Sequence, residues 1–370
     1  MHQNPITLTK LLSVGNIVSA SIRIYRDNFK SYFGVAIRAT LWFLLPFLAL
    51  IPVPLIFAYG QANISNSNFL LLIPIWLLLF AFCTAKSIVN SAIIGRLVFR
   101  LLANQPETVR EVRRNLAPKI RSFLWAFVLL FLIVIGIYIG FPVAVAIISF
   151  ILLIPISVIA VIANIELNIQ PDIMQNNIAV IIISGFIGIT FLVIWYYLII
   201  RLLTRFFIID MPLAVEENMT ATKSLGRIWE LTKGYVGRIF MILLVAILVA
   251  LPIGTVLYII SEISSNILIR KTQLFDISFN SLFDILGSGT IFVLPFSMTI
   301  LLPFGIIAII LGNGLSNPNY VLAYLVQSYA IFSLSNILLL PFWQTIKAMI
   351  YYDLRTRREG IDLQLKQQDI

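Results

Sequence analysis

The chain alternates between long apolar runs and short polar stretches. The runs cover residues 41–59 (broken only by Pro46, Pro52 and Pro54), 69–82, 123–163, 178–200, 239–260, 291–311 and 320–350. A helix needs roughly 20 apolar residues to cross the hydrocarbon core of a bilayer, and most of these runs are long enough. Backbone N–H and C=O groups in hydrocarbon must be paired internally, which favours helices. A membrane β-barrel would instead show short alternating segments, and none is seen. The pattern predicts an all-α fold, a polytopic transmembrane helical bundle. Composition agrees: 11% of residues are charged, against about 25% in a soluble domain.

The basic residues fall between the runs, in four blocks. The first holds Lys10, Arg23, Arg26, Lys30 and Arg38. The second holds Lys86, Arg96, Arg100, Arg110, Arg113, Arg114, Lys119 and Arg121. The third holds Arg201, Arg205, Lys223, Arg227, Lys233 and Arg238, and the last holds Lys347, Arg355, Arg357, Arg358 and Lys366. Together they account for 24 of the 26 Lys and Arg residues, with Arg270 and Lys271 outside them. The positive-inside rule then places all four blocks, and both termini, on the cytoplasmic face of the membrane. That requires an even number of crossings between blocks. With 123–163 divided at Pro142 into 123–138 and 143–163, the runs at 143–163 and 291–311, which contain or follow prolines, are therefore expected to be re-entrant or non-crossing continuations, leaving about six crossings. The alternative lets every run cross, giving eight and dividing the basic residues 20 to 6. The expected organisation is a single membrane domain over 1–358 with quasi-repeats at 1–103, 104–205 and 206–358, followed by a cytoplasmic tail, 359–370.

Three polar stretches have helical periodicity, and each leads into a span. In the first, Val14, Ile17, Val18, Ile22, Tyr25 and Phe29 share one face and Arg23, Arg26, Asp27 and Lys30 the other. The second runs from Pro106 to Leu116, with Pro118 ending it. The third runs from Thr220 to Lys233, with Gly234 as its C-cap. Basic amphipathic helices suit the headgroup plane, where they meet anionic lipids, and the rings of Tyr25 and Trp229 suit the same interface.

The same segments carry a family resemblance. Leu12-Ser-Val-Gly-Asn-Ile17 followed by Ile22-Arg-Ile-Tyr-Arg26 and Phe29 resembles the opening of the bacterial glycerophosphoryl diester phosphodiesterase membrane domain family. Pro212-Leu-Ala-Val-Glu-Glu217 and Ser224-Leu-Gly-Arg-Ile-Trp-Glu-Leu-Thr-Lys-Gly234 resemble its central motif. Tyr351-Tyr-Asp-Leu-Arg355 through Arg358-Glu-Gly-Ile-Asp-Leu363 resembles its closing motif. The residues carrying the likeness include Arg23, Tyr25, Arg227, Trp229, Gly234, Tyr352, Asp353 and Arg355. One departure is Asn218, where the resemblance implies a glycine. The family name comes from members fused to a phosphodiesterase barrel, and the resemblance implies a stand-alone membrane domain without that activity.

The chemical inventory points the same way. A phosphodiesterase barrel needs about 250 residues, and no soluble stretch approaches that. Acid–base hydrolysis and zinc binding call for several His, Cys or clustered carboxylates, whereas the chain has one His (His2) and one Cys (Cys83). No phosphate-binding, dinucleotide-binding or nucleophile-elbow motif occurs. No enzyme activity, cofactor or metal is expected. The first 30 residues carry charges where the apolar region of a signal peptide would lie, so no cleavable leader is expected.

The expected role is an accessory or scaffold in envelope or lipid-related processes, the alternative being a transporter or channel for a small solute or lipid. The expected partners are the bilayer with its anionic headgroups, and membrane proteins or a second copy, but not nucleic acid. Lys86 and Lys347, near the ends of runs, are the candidate intramembrane charges, expected to snorkel toward the headgroups. Glu216 and Glu217 are expected to pair with neighbouring basic residues. No acidic residue is expected in mid-span, which argues against a pump or proton relay.

Overall fold

The computed structural model describes residues 13–49, 72–162, 178–272 and 318–360. The run at 291–311, the connections 60–68 and 164–177 and the end of the tail lie outside them. Among the described residues all regular structure is helical. Five stretches there are long and apolar enough to cross a bilayer: Phe29–Leu48, Pro74–Leu102, Val109–Ile147, Ile189–Val215 and Val236–Leu257. The contacts divide the chain into two units, Met1–Trp125 with Ile208–Ile370, and Ala126–Phe207.

In the larger unit, α1 (Val14–Asp27) begins at Ser13, whose hydroxyl accepts the Asn16 N–H at 3.2 Å. This satisfies one of the donors a helix start leaves unpaired. Its buried residues are Ile17, Val18, Ser21 and Ile24; Ile17 and Val18 lie on the expected face, whereas Ile22 and Phe29 are exposed, so the buried face is turned toward Ser21 and Ile24. Helix α2 (Phe29–Leu48) follows directly and packs against α3 (Leu72–Leu102). Trp76 donates its indole N–H to the Pro46 carbonyl at 2.8 Å, and Trp42 meets Phe82 edge-on.

Helix α4 spans Val109–Leu116. Its start is set by a capping box, with Thr108 accepting the Glu111 N–H and Glu111 accepting the Thr108 N–H. The helix thus begins at Thr108 and not at Pro106, because two reciprocal hydrogen bonds fix the first turn. A 3₁₀ turn, Ala117–Lys119, joins it to α5 (Ile120–Ile162).

Of the two forms expected for the run at 143–163, a re-entrant element or a continuation, the structure shows a continuation. It continues α5 as one helix of 43 residues through Pro142 and Pro155. At 1.5 Å per residue it is about 65 Å long, roughly twice a hydrocarbon core. An apolar surrounding offers unwound backbone no hydrogen-bond partners, so the helix persists past its prolines. Among the described residues two helices, α5 and α6 (Ile178–Phe206), lie between the second basic block and the third. Within the smaller unit, Tyr138 meets Trp195 with ring centroids 5.0 Å apart. Leu132, Ile139, Phe186, Val193 and Tyr197 are exposed there, a surface suited to lipid contact.

The remaining elements belong to the larger unit. They are the short α7 (Asp210–Val215), α8 (Ala221–Thr232), α9 (Val236–Thr272) and α10 (Pro318–Glu359). Thr220 caps α8, and Gly234 just beyond its end has φ +86°. That left-handed conformation is open to glycine without a Cβ clash. Asn218, in the turn before α8, has φ +54°, and asparagine is among the residues that best tolerate this region. Helix α10 packs on α1, α2, α3 and α9 and supplies much of the core, including Phe342, Trp343, Ile346, Met349 and Tyr351.

Candidate functional site

The charged residues of the larger unit gather around α7 in three connected groups. The deepest joins α7 to α10. Asp210 opens α7, and its Oδ2 accepts the Lys347 ammonium at 3.0 Å and the Gln344 amide N–H at 3.2 Å. Asp210, Lys347 and Gln344 are 6%, 7% and 5% exposed. The other carboxylate oxygen, Oδ1, and the Gln344 carbonyl Oε1 have no hydrogen-bond partner. Gly95 on α3 makes room for this group. A Cβ there would lie 2.8 Å from Met211 Sδ and 3.2 Å from Gln344 Oε1.

The second group holds the far end of α7. Arg96 forks onto both oxygens of Glu107 at 2.8 Å and donates to the Ala214 carbonyl at 3.0 Å. Lys119 donates to the carbonyls of Leu213 and Glu216 at 3.2 and 2.7 Å. Arg100 lies 3.2 Å from Glu107. The last carbonyls of a helix have no partner of their own and carry partial negative charge, so two cations from the second basic block stop α7 here. The Arg96 hydrogen bonds hold the Glu107 carboxyl below the usual glutamate range. Partial burial opposes this, and the fields of Arg96 and Arg100 reinforce it.

The third group ties α8 and α9 to the end of α10. Glu216 accepts from Arg227 at 3.2 Å and from the Tyr351 hydroxyl. Arg227 also pairs with Glu359, which Arg355 meets at 2.8 Å. The Arg355 guanidinium lies 5.9 Å from the ring centroids of Phe99 and Tyr351. Asp353 accepts from Arg238 at 3.1 Å and from Arg357 at 3.0 Å. Arg358 reaches the Lys233 carbonyl. The α1 end joins through Tyr25, whose hydroxyl donates to the Leu338 carbonyl at 2.9 Å.

Of the residues singled out from the sequence, Glu216, Arg227 and Arg355 meet, together with the neighbouring Tyr351, while Lys347 pairs with Asp210 and Asp353 with Arg238 and Arg357. Tyr352 is buried, with Phe99 against its ring. Others stay apart. Glu217 is exposed, Trp229 is 49% exposed, and Arg23 pairs weakly with Asp27 at 3.8 Å. Lys86 is half-buried with its ammonium 6.0 Å from the Trp42 centroid and 5.6 Å from that of Phe82.

One expectation is corrected: Lys347 does not snorkel, because Asp210 holds its ammonium inside the unit. Asp210, which was not singled out from the sequence, lies toward the end of the apolar stretch Ile189–Val215. Asp210 escaped the reading because it closes Phe206-Phe-Ile-Ile-Asp210, where a single carboxylate reads as the edge of an apolar run. Its position two residues before the Pro212–Glu217 motif was the available signal.

Residues of the second, third and fourth basic blocks thus meet around Glu216, through Lys119 on its carbonyl and Arg227 and Arg355 on its carboxylate, while among the described residues Arg23 and Arg26 of the first block pair only with Asp27. Fold and charge layer together define the class: an all-α protein whose several apolar helices fit a multi-pass membrane protein. Comparison with known proteins gives no match among family models, curated proteins or solved structures. Among the described residues no group of three or more His, Cys, Asp or Glu is placed to hold a metal ion.

Proposed function

We propose that this chain is a non-enzymatic protein of a bacterial cytoplasmic membrane, an accessory scaffold in envelope or lipid-related processes that holds anionic headgroups on its basic face. The observation that carries this reading is the division of its cations. Arg96, Lys119, Arg227, Arg238 and Lys347 are engaged in holding the fold together. The side chains of Arg23 and Arg26 on α1 are 61% and 78% exposed, beside helices with apolar outer faces. Exposed arginines at the edge of an apolar bundle suit phosphate headgroups, each worth about 1 kcal/mol near an anionic surface. The left-handed Asn218 supports the family likeness, since it stands where the resemblance implies glycine.

Native mass spectrometry of the purified protein with phosphatidylglycerol or phosphatidylcholine tests this reading. The double variant Arg23→Glu/Arg26→Glu is expected to lose several-fold more phosphatidylglycerol than phosphatidylcholine. Equal retention of both lipids by wild type and variant would count against it. A second reading, transport of a small solute, is favoured by the buried Asp210–Lys347 pair, since ionisable residues inside membrane bundles commonly line substrate or ion paths. Reconstituted flux that disappears in Lys347→Ala would support that alternative.

A further inference from the structure

Asp210 and Gln344 leave an unusual remainder. Both side chains are more than nine-tenths buried, and each keeps one acceptor without a partner, Oδ1 of the carboxylate and Oε1 of the amide. Their other atoms already meet, the Gln344 Nε2–H donating to Asp210 Oδ2 at 3.2 Å. An orphaned buried acceptor costs about 1–3 kcal/mol, and more when it is charged. Two acceptors on groups already joined by one hydrogen bond need a single donor between them.

A proton supplies that donor and needs no cavity. On Oδ1 it makes Asp210 a carboxylic acid, which gains a donor and keeps acceptor capacity. An acid and a primary amide form a ring of two hydrogen bonds, N–H to the acid carbonyl and O–H to the amide carbonyl. The first of these is in place, and the second would join the two orphaned atoms. We propose that Asp210 is a proton-binding site, with Gln344 as the residue that holds its acid form. On binding, a solvent hydronium releases its proton to Oδ1 and leaves as water, and the group gains one positive charge.

The surrounding charges set the balance. From α10, Lys347 faces Asp210, its ammonium 3.0 Å from Oδ2. From α3, Arg96 is the nearby ion, already committed to Glu107 and the Ala214 carbonyl. From α8, the contact is the uncharged Ser224, whose hydroxyl donates to the Ile209 carbonyl at 2.8 Å, while Arg227 on that helix is turned to Glu216 and Glu359. Among the described residues Lys347 is thus the one cation directly on Asp210. Proton uptake loosens the bond between α7 and α10 without leaving either orphaned acceptor exposed. The proposal does not rest on the scaffold reading and survives its failure.

The test is infrared spectroscopy of the full chain in lipid vesicles, titrated from neutral to acid pH over the range in which the protein stays folded. A carboxylic C=O band is expected to grow as the pH falls and to be absent in Asp210→Asn, whose amide mimics the acid form. Gln344→Leu, which keeps the charged pair, is expected to shift that band to the higher frequency of an acid lacking its amide partner. Lys347→Met is expected to strengthen the band near neutral pH. A band insensitive to Gln344→Leu and Lys347→Met, or equally strong in Asp210→Asn, means the acceptors are satisfied by water and overturns the proposal. Should Asp210→Asn not fold, the other two variants decide the question alone.

Discussion

Replacing Lys347 with methionine is expected to destabilise the protein by about 3–5 kcal/mol, because it leaves the buried Asp210 carboxylate without its cation. The 3.0 Å bond to a carboxylate 6% exposed is the reason for so large a cost. Replacing both partners, Asp210→Leu with Lys347→Met, is expected to recover most of the loss, since a buried pair exchanged for apolar residues of similar size is often neutral. Unfolding in mixed detergent–SDS micelles measures all three variants against wild type. Additive losses in the double variant would mean that the two residues do not act as a pair.

Arg96→Ala is expected to cost about 3 kcal/mol, the next largest effect. The substitution removes a bidentate, charge-assisted contact to Glu107 and leaves the Ala214 carbonyl unpaired at the end of α7. It also carries a pH signature. The Glu107 carboxyl has a lower proton affinity in the folded chain than in the unfolded one, chiefly through the Arg96 hydrogen bonds. Its contribution is therefore fully present above the ordinary glutamate range and is lost as the pH falls through the lower, folded value. The stability gap between wild type and Arg96→Ala should narrow on acidification through that interval. A gap that stays constant would show that Glu107 draws its stabilisation from elsewhere.

The helical fold was legible from run lengths alone, since hydrocarbon admits few alternatives. The amphipathic helices were legible too, because their apolar and charged residues recur at helical spacing and Gly234 closes the third with local chemistry. The continuity of α5 was legible only as one of two forms. Pro142 and Pro155 break helices in water, where unwound backbone finds new partners, and that alternative is missing in an apolar setting.

At the candidate site the sequence pointed to Lys347 and Glu216 but not to what they meet. Lys347 finds Asp210 across 137 positions and Tyr351 finds Glu216 across 135, and a short-range pattern carries no trace of such pairings. Gln344 and Gly95 were equally silent, one reading as a polar residue in a span and the other as an ordinary small one. Their importance lies in packing three helices around a single carboxylate.

The central claim is that the four basic blocks share one face of a bilayer, where the second, third and fourth join through a common layer of ion pairs and hydrogen bonds. Single cysteines at Arg26, Arg110, Lys233 and Arg358, introduced with the buried Cys83 replaced by alanine, test it in sealed vesicles of known orientation with a membrane-impermeant maleimide. All four positions are predicted to label from the same side. Labelling of position 233 from the side opposite the other three would contradict the account.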